Sequence, residues 1–222
     1  MTVADEATDS ELMDGLRSGS PDALAALFDR HADRIYTYCF RRTASWAVAE
    51  DATSTVFLEA WRSRERAQAY DEAALPWLYG IATNVCRNAG RSQRRYAAAL
   101  GRIPRSPHAP DHADDTVDRV DSERTMARIT AALAGLPERD REVIALVVWS
   151  GLSYEDAARA LGCPVGTVRS RLARARGRLG AAITATRQLV TAYFGYFLKH
   201  DRHALTMLNT PSQQNRYLLR LR

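Results

Sequence analysis

The stretch LGCPVGTVRSRLARARGRL, Leu161–Leu179, carries five arginines and no acidic residue. A guanidinium is a permanent cation with a planar fork of donors, suited to the O6 and N7 of guanine or to phosphate oxygens. Stepping 100° per residue from Val165 puts Val165, Val168, Leu172, Ala175 and Leu179 on one apolar stripe. The opposite face centres on Gly166, Thr167, Ser170 and Arg174, with Arg171 and Arg178 on one flank and Arg169 and Arg176 on the other. Such a helix buries one side and turns small hydroxyls and guanidiniums outward. In a DNA major groove the small residues permit close approach, a central arginine reads a base edge, and flanking arginines hold phosphates. A merely solvated amphipathic helix would share the stripe. The three-residue turn GCP, the capped helix before it and the lack of compensating acids favour DNA.

Other groupings offer little chemistry. His200 and His203 flank Asp201 at a spacing that could grip a metal, but two histidines without a further ligand make a weak site. Nothing resembles a serine–histidine–acid set, a phosphate loop or a paired-carboxylate motif. No catalytic residue, metal, cofactor or small-molecule substrate is therefore expected, and the chain reads as a non-enzyme. Asn84, Asn88, Arg87 and Arg91 share one side of a helix, either as a solvent face or as a nucleic-acid surface. Phe57, Trp61 and Trp77 recur among apolar residues at helical spacing, which favours core packing over base stacking.

The elements that must position these groups read as helices throughout, giving an all-α fold. Ser20-Pro21 caps and starts one helix, with Leu24, Leu27, Phe28 and Ile35 following at helical spacing. Ser45 caps a second with Val48, Ala52, Val56, Leu58 and Trp61, and a third carries Leu75, Leu78, Ile81, Ala82 and Val85. Residues 97–121 hold Pro104, Pro107 and Pro110 and several aspartates without apolar periodicity, so they read as a flexible linker. Two small domains result, 1–96 and 122–183, followed by an extension, 184–222. In the second domain one helix runs from Pro137 to Gly151, and Ser153 with Asp156 nearly forms a capping box.

The formal charge of +5 is unevenly distributed. Residues 1–30 and 106–123 are acidic, whereas 84–105 and 165–180 carry only basic charges. Separate surfaces with separate partners follow, at least one partner being a polyanion. The same blocks can also hold the two domains together and hide DNA-binding surfaces. Cys39, Cys86 and Cys163 are too far apart for a zinc or disulfide pattern, which suits a reducing compartment. No apolar run reaches a membrane-spanning length and the acidic start is unlike a signal peptide, so a cytoplasmic location is expected.

The segment LPERDREVIALVVWSGLSYEDAARALGCPVGTVRSRLARARGRL resembles the C-terminal DNA-binding domain of extracytoplasmic-function sigma factors. The run from LFDRHADRIYTYCF to NVCRNAGRSQRR resembles their N-terminal domain, so the likeness spans about residues 21–183. The resemblance implies promoter-specific initiation with core RNA polymerase, and it allows for an anti-sigma protein as a further partner. Thr167, Arg169, Ser170, Arg171 and Arg174 would contact the minus-thirty-five element. The helix Ala49–Trp61 would bind polymerase through Glu50, Asp51, Phe57 and Trp61. Thr83, Asn84, Arg87 and Arg91, with the loop Arg66–Ala73, would capture the minus-ten element as it melts. No nucleotide hydrolysis is needed where a flipped base finds a pocket and the freed strand finds cationic cover. Ser54 and Thr55 depart from the glutamine and acidic residue that the family often has in the polymerase-binding helix.

Two other classes compete. An autonomous helix-turn-helix regulator would need a sensor domain before the linker, and no βα pattern or glycine-rich loop appears there. An enzyme in the C-terminal extension would have under forty residues to fold, too few for a catalytic domain. That extension carries Leu189, Val190, Tyr193, Phe194, Phe197 and Leu198 at helical spacing, so it is expected to pack on something.

Overall fold

The computed structural model describes residues 7–69, 74–100 and 117–179, and among these every regular element is helical. The elements are α1 (Asp9–Arg17), α2 (Pro21–Thr43), α3 (Trp46–Arg62), a 3-10 turn (Arg64–Ala69), α4 (Ala74–Leu100), α5 (Val117–Leu133), α6 (Glu138–Val143) and α7 (Tyr154–Leu161). The basic helix, α8, occupies residues 165–179. The extension beyond it, with its apolar run and with His200, Asp201 and His203, lies outside the described residues.

Local signals start and stop these helices as their chemistry requires. The Ser20 hydroxyl accepts from the Ala23 N–H with Pro21 in the first helical turn, and the Ser45 hydroxyl accepts from Val48. Between them Ala44 takes a left-handed conformation at φ 57°, unusual outside glycine, and its N–H donates to Phe40 O. Ser153 accepts from the Asp156 N–H at 2.9 Å and donates to its carboxylate at 2.7 Å. α1 escaped the sequence reading, although Thr8 and Glu11 form a complete capping box in front of Leu12, Met13 and Leu16.

In the N-terminal domain α2, α3 and α4 close around Leu27, Ile35, Tyr38, Val56, Leu78 and Ala82, all buried. α1 is fastened to this core by Asp9. Its carboxylate accepts from Arg30 at 2.9 Å, from the Ala74 N–H at 3.2 Å, and lies 3.0 Å from His31 Nε2. One side chain thus ties α1 to α2 and to the start of α4.

In the C-terminal domain the helix expected from Pro137 to Gly151 changes character midway. Ile144–Trp149 is π-helical, and Leu152 N–H bonds back to Leu146 O at 3.0 Å. Five consecutive residues, Glu142–Leu146, are buried across the change from α- to π-helix, so this segment is enclosed on all sides.

Helical structure reaches into the segment read as the linker. α4 continues to Leu100 and α5 begins at Val117, so helices enter both ends of 97–121. The domains also pack on one another. α7 lies against α4, where a Cβ on Gly80 would come within 2.7 Å of the Ala160 carbonyl oxygen. Glu123 of α5 accepts from the Trp46 N–H at 2.7 Å, helping to cap α3 from the other domain. Arg87 of α4 meets Glu142 at 2.7 Å, and Arg41 donates to Trp149 O. Among the described residues, the Arg87–Glu142 pair, the Glu123 and Arg41 contacts and close helix packing make this junction.

Candidate nucleic-acid interface

The turn between α7 and α8 is built from glycine and proline. Gly162 sits at φ +60°, where its N–H reaches the Ala158 and Arg159 carbonyls, and Thr167 N–H donates to Pro164 O at 2.9 Å. α8 then buries Val168, Leu172 and Ala175 almost completely, as the stripe requires. Gly166, Arg169, Ser170 and Arg174 are exposed, and Thr167 and Arg171 are half-buried. The Ser170 hydroxyl folds back to Thr167 O at 3.0 Å, leaving a low surface between arginines.

The basic face is steadied by acids from elsewhere. Asp140, buried at the base of α6, lies 3.9 Å from Arg174 and 3.6 Å from Arg178. Arg169 is 3.8 Å from Glu155 and stands over the Tyr154 ring. These arginines remain more than half exposed, so the pairs are weak enough to exchange for phosphate or a base.

On α4 the expected residues separate. Thr83 is a core residue: it is 1% exposed, its hydroxyl donates to Tyr79 O at 2.8 Å, and it meets Tyr38 Oη at 2.7 Å. Its short side chain cannot reach a ligand on the outside of the helix, which corrects its placement on the minus-ten surface. Asn84 and Arg91 are exposed. Arg87 lies between these cases, bonded to Asn84 Oδ1 at 3.0 Å and paired with Glu142, whose side chain is 1% exposed.

On α3, Glu50 and Asp51 are exposed and Trp61 is half-buried beneath the Arg64 guanidinium. Phe57 is 4% exposed and packs edge-on against Phe28 at 4.8 Å, so it supports the surface from below rather than forming it. The apolar groups that do face outward are Phe28 and Leu58. The sequence pattern placed both among apolar residues at helical spacing, and an apolar stripe does not reveal its own edge. Of the loop Arg66–Ala73, residues 66–69 belong to the 3-10 turn and 70–73 lie outside the described residues.

Just after this loop, where Ala74 begins α4, electrostatics favour neutral His31 beside ionised Asp9. Burial, helped by the charges of Arg30 and Arg34, disfavours the His31 cation more than Asp9 restores it, so its pKa falls below 6.5. Burial also opposes charge on Asp9, but bonds from Arg30, His31 and Ala74, with the histidine's charge, outweigh it and lower its pKa.

The two halves of this arrangement match known families. The family described as Sigma-70 region 2 matches residues 27–96, and Sigma-70, region 4 matches residues 126–179. The RNA polymerase sigma factor CarQ of Myxococcus xanthus is 33% identical over 172 residues, covering 75% of this chain and 92% of that protein. The chain belongs to the extracytoplasmic-function sigma factors. The ECF RNA polymerase sigma-E factor of Haemophilus influenzae is 31% identical over 189 residues, covering 78% of this chain and 94% of that one. The solved structure of CnrH in complex with the cytosolic domain of CnrY aligns at a TM-score of 0.58 and 26% identity, covering 80% of this sigma factor and 97% of CnrH. The sigma factor therefore binds core RNA polymerase and promoter DNA and directs promoter-specific initiation. Such a role is regulatory rather than catalytic. Among the described residues no helix is long and apolar enough to cross a membrane.

Proposed function

We propose that α8 reads the minus-thirty-five element, with Arg174 at the base edge and Arg169 and Arg171 on flanking phosphates. Thr167 and Ser170 keep the centre of that face low enough for the groove. Asn84 and Arg91 of α4 track the melted minus-ten strand, and Arg87 joins them once released from Glu142. Glu50, Asp51 and the exposed Phe28 and Leu58 form the polymerase-binding surface, with Phe57 and Trp61 supporting it.

The observation that carries this reading is an asymmetry. The reading face of α8 is open, whereas the α4 face is partly engaged: α7 rests on Gly80 and the central Arg87 is held by a buried carboxylate, with Asn84 and Arg91 exposed on either side. In this closed form the protein presents one promoter-reading surface and withholds the central arginine of the other until polymerase separates the domains. An anti-sigma protein is a further partner of this chain, as CnrH is found in complex with the cytosolic domain of CnrY. Run-off transcription with core polymerase on a promoter library tests the assignment. Arg174→Ala is expected to cost ~1–3 kcal/mol in promoter binding and relax preference at one minus-thirty-five position. A uniform loss across sequences would make Arg174 a phosphate contact, and no loss would refute the reading face.

A further inference from the structure

Asp140, in the first turn of α6, is a buried carboxylate set against the basic face of α8. The residue is 3% exposed, whereas the Arg174 and Arg178 side chains are 59% and 52% exposed. Its oxygens divide between them: Oδ1 lies 3.9 Å from Arg174 and Oδ2 lies 3.6 Å from Arg178. Neither separation is a hydrogen bond, so the carboxylate restrains both guanidiniums by charge and leaves their donors for another acceptor. The two arginines stand four residues apart on α8, where like charges repel, and the acid that meets both offsets that repulsion.

A DNA phosphate bonded to Arg174 would sit within about 7 Å of Asp140, given the 3.9 Å pair. That is inside the Debye length of about 8 Å at physiological ionic strength, and a buried charge is screened less than an exposed one. The phosphate is therefore repelled, whereas O6 and N7 of guanine are neutral acceptors and meet no such penalty. We propose that Asp140 is a positioning residue that sets specificity: acting through Arg174, and through Arg178 beside it, it disfavours phosphate and leaves base edges as the preferred partners. The inference rests on the reading of Arg174 as the base contact. An acid in the first turn also complements the α6 dipole, as Glu138 does, but that contribution changes folding stability and not the choice of DNA sequence.

The test titrates the full chain into labelled duplexes by fluorescence anisotropy at several salt concentrations. One duplex carries the preferred minus-thirty-five element, one has a single base pair changed where Arg174 reads, and one is unrelated. Asp140→Asn is expected to bind the unrelated duplex at least threefold more tightly, with a salt slope steeper by about one. Its discrimination between the first two duplexes is expected to fall at least fivefold. Asp140→Asn added to Arg174→Ala should cost no further discrimination, because Asp140 acts through that arginine. Asp121→Asn, which removes an exposed carboxylate paired with Arg124 on α5, should keep the wild-type slope and discrimination. Thermal melting of each variant separates a loss of stability from these readouts, and Asp140→Ser supplies the same readouts if the asparagine variant melts below the assay temperature. If the Asp140 variant keeps either the wild-type slope or the wild-type discrimination, the inference is overturned, and the reading face still stands when Arg174→Ala loses discrimination. Wild-type discrimination in Arg174→Ala overturns the reading face and this inference together.

Discussion

Replacing Gly80 with alanine gives two opposite effects that separate helix propensity from domain packing. In a helix interior, alanine is better than glycine by about 1 kcal/mol, and α4 is helical whether the domains are together or apart. That gain therefore stabilises the N-terminal domain without entering the closure equilibrium. The new Cβ, however, would lie 2.7 Å from the Ala160 carbonyl oxygen and 3.5 Å from its Cα. A backbone oxygen cannot rotate aside, so α7 must move. Overpacking of this kind costs about 1–3 kcal/mol, which shifts the balance toward the open form by about 5- to 150-fold. A chain closed 99 times in 100 would become about 5% to 60% open. Small-angle scattering should show a larger radius of gyration, and a single-stranded minus-ten oligonucleotide should bind more tightly. Gly177→Ala, where a Cβ meets nothing within 4 Å, supplies the propensity gain alone and should leave the scattering profile unchanged. A Gly80→Ala protein that is simply more heat-stable, with unchanged scattering and oligonucleotide affinity, would show that α7 does not rest on Gly80 in solution.

Arg87→Met strands the Glu142 carboxylate in the closed form at a cost of about 3–5 kcal/mol, so scattering should report opening, and adding Glu142→Met should restore compactness. A compact single variant would remove the pair as a lock. Acidification tests His31. Its folded pKa lies below the ordinary 6.5, so the unfolded chain takes up the proton more readily and stability falls as pH drops below about 6.5. His31→Gln should flatten the melting-temperature profile between pH 6.5 and 5.5, and an unchanged slope would assign the dependence elsewhere. Leu58→Glu should change folding stability by about 0.5 kcal/mol or less, because the side chain is 48% exposed. It should weaken binding to core polymerase at least tenfold in a gel-shift titration; unaltered binding would take Leu58 out of that surface.

Much of this molecule is determined within single helices. Ser20, Ser45 and Ser153 cap their helices because a side-chain oxygen answers an N–H three residues on, a relation wholly contained in local sequence. Gly162 and Pro164 define the turn before α8 for equally local reasons, and the Val168–Leu172–Ala175 stripe fixes which face of α8 is buried. The exposed basic face of α8 follows from that stripe alone. Periodicity says less where a helix is enclosed on several sides. Thr83, Asn84 and Arg87 share a helical direction, yet Thr83 ends against Tyr38, Asn84 meets solvent, and Arg87 crosses to the other domain. Phe28 and Leu58 carry the same apolar signal as their buried neighbours, and only the edge of the α2–α3 contact leaves them exposed. The partners of Arg87 and Arg42 lie more than fifty residues away in sequence. Sequence alone therefore determined most of the helices, their serine caps and which face of α8 is exposed, because those depend on neighbours within a turn or two. Domain closure, the seating of α7 on Gly80 and the Arg87–Glu142 pair were decided by tertiary structure, because each depends on two distant surfaces meeting at atomic spacing.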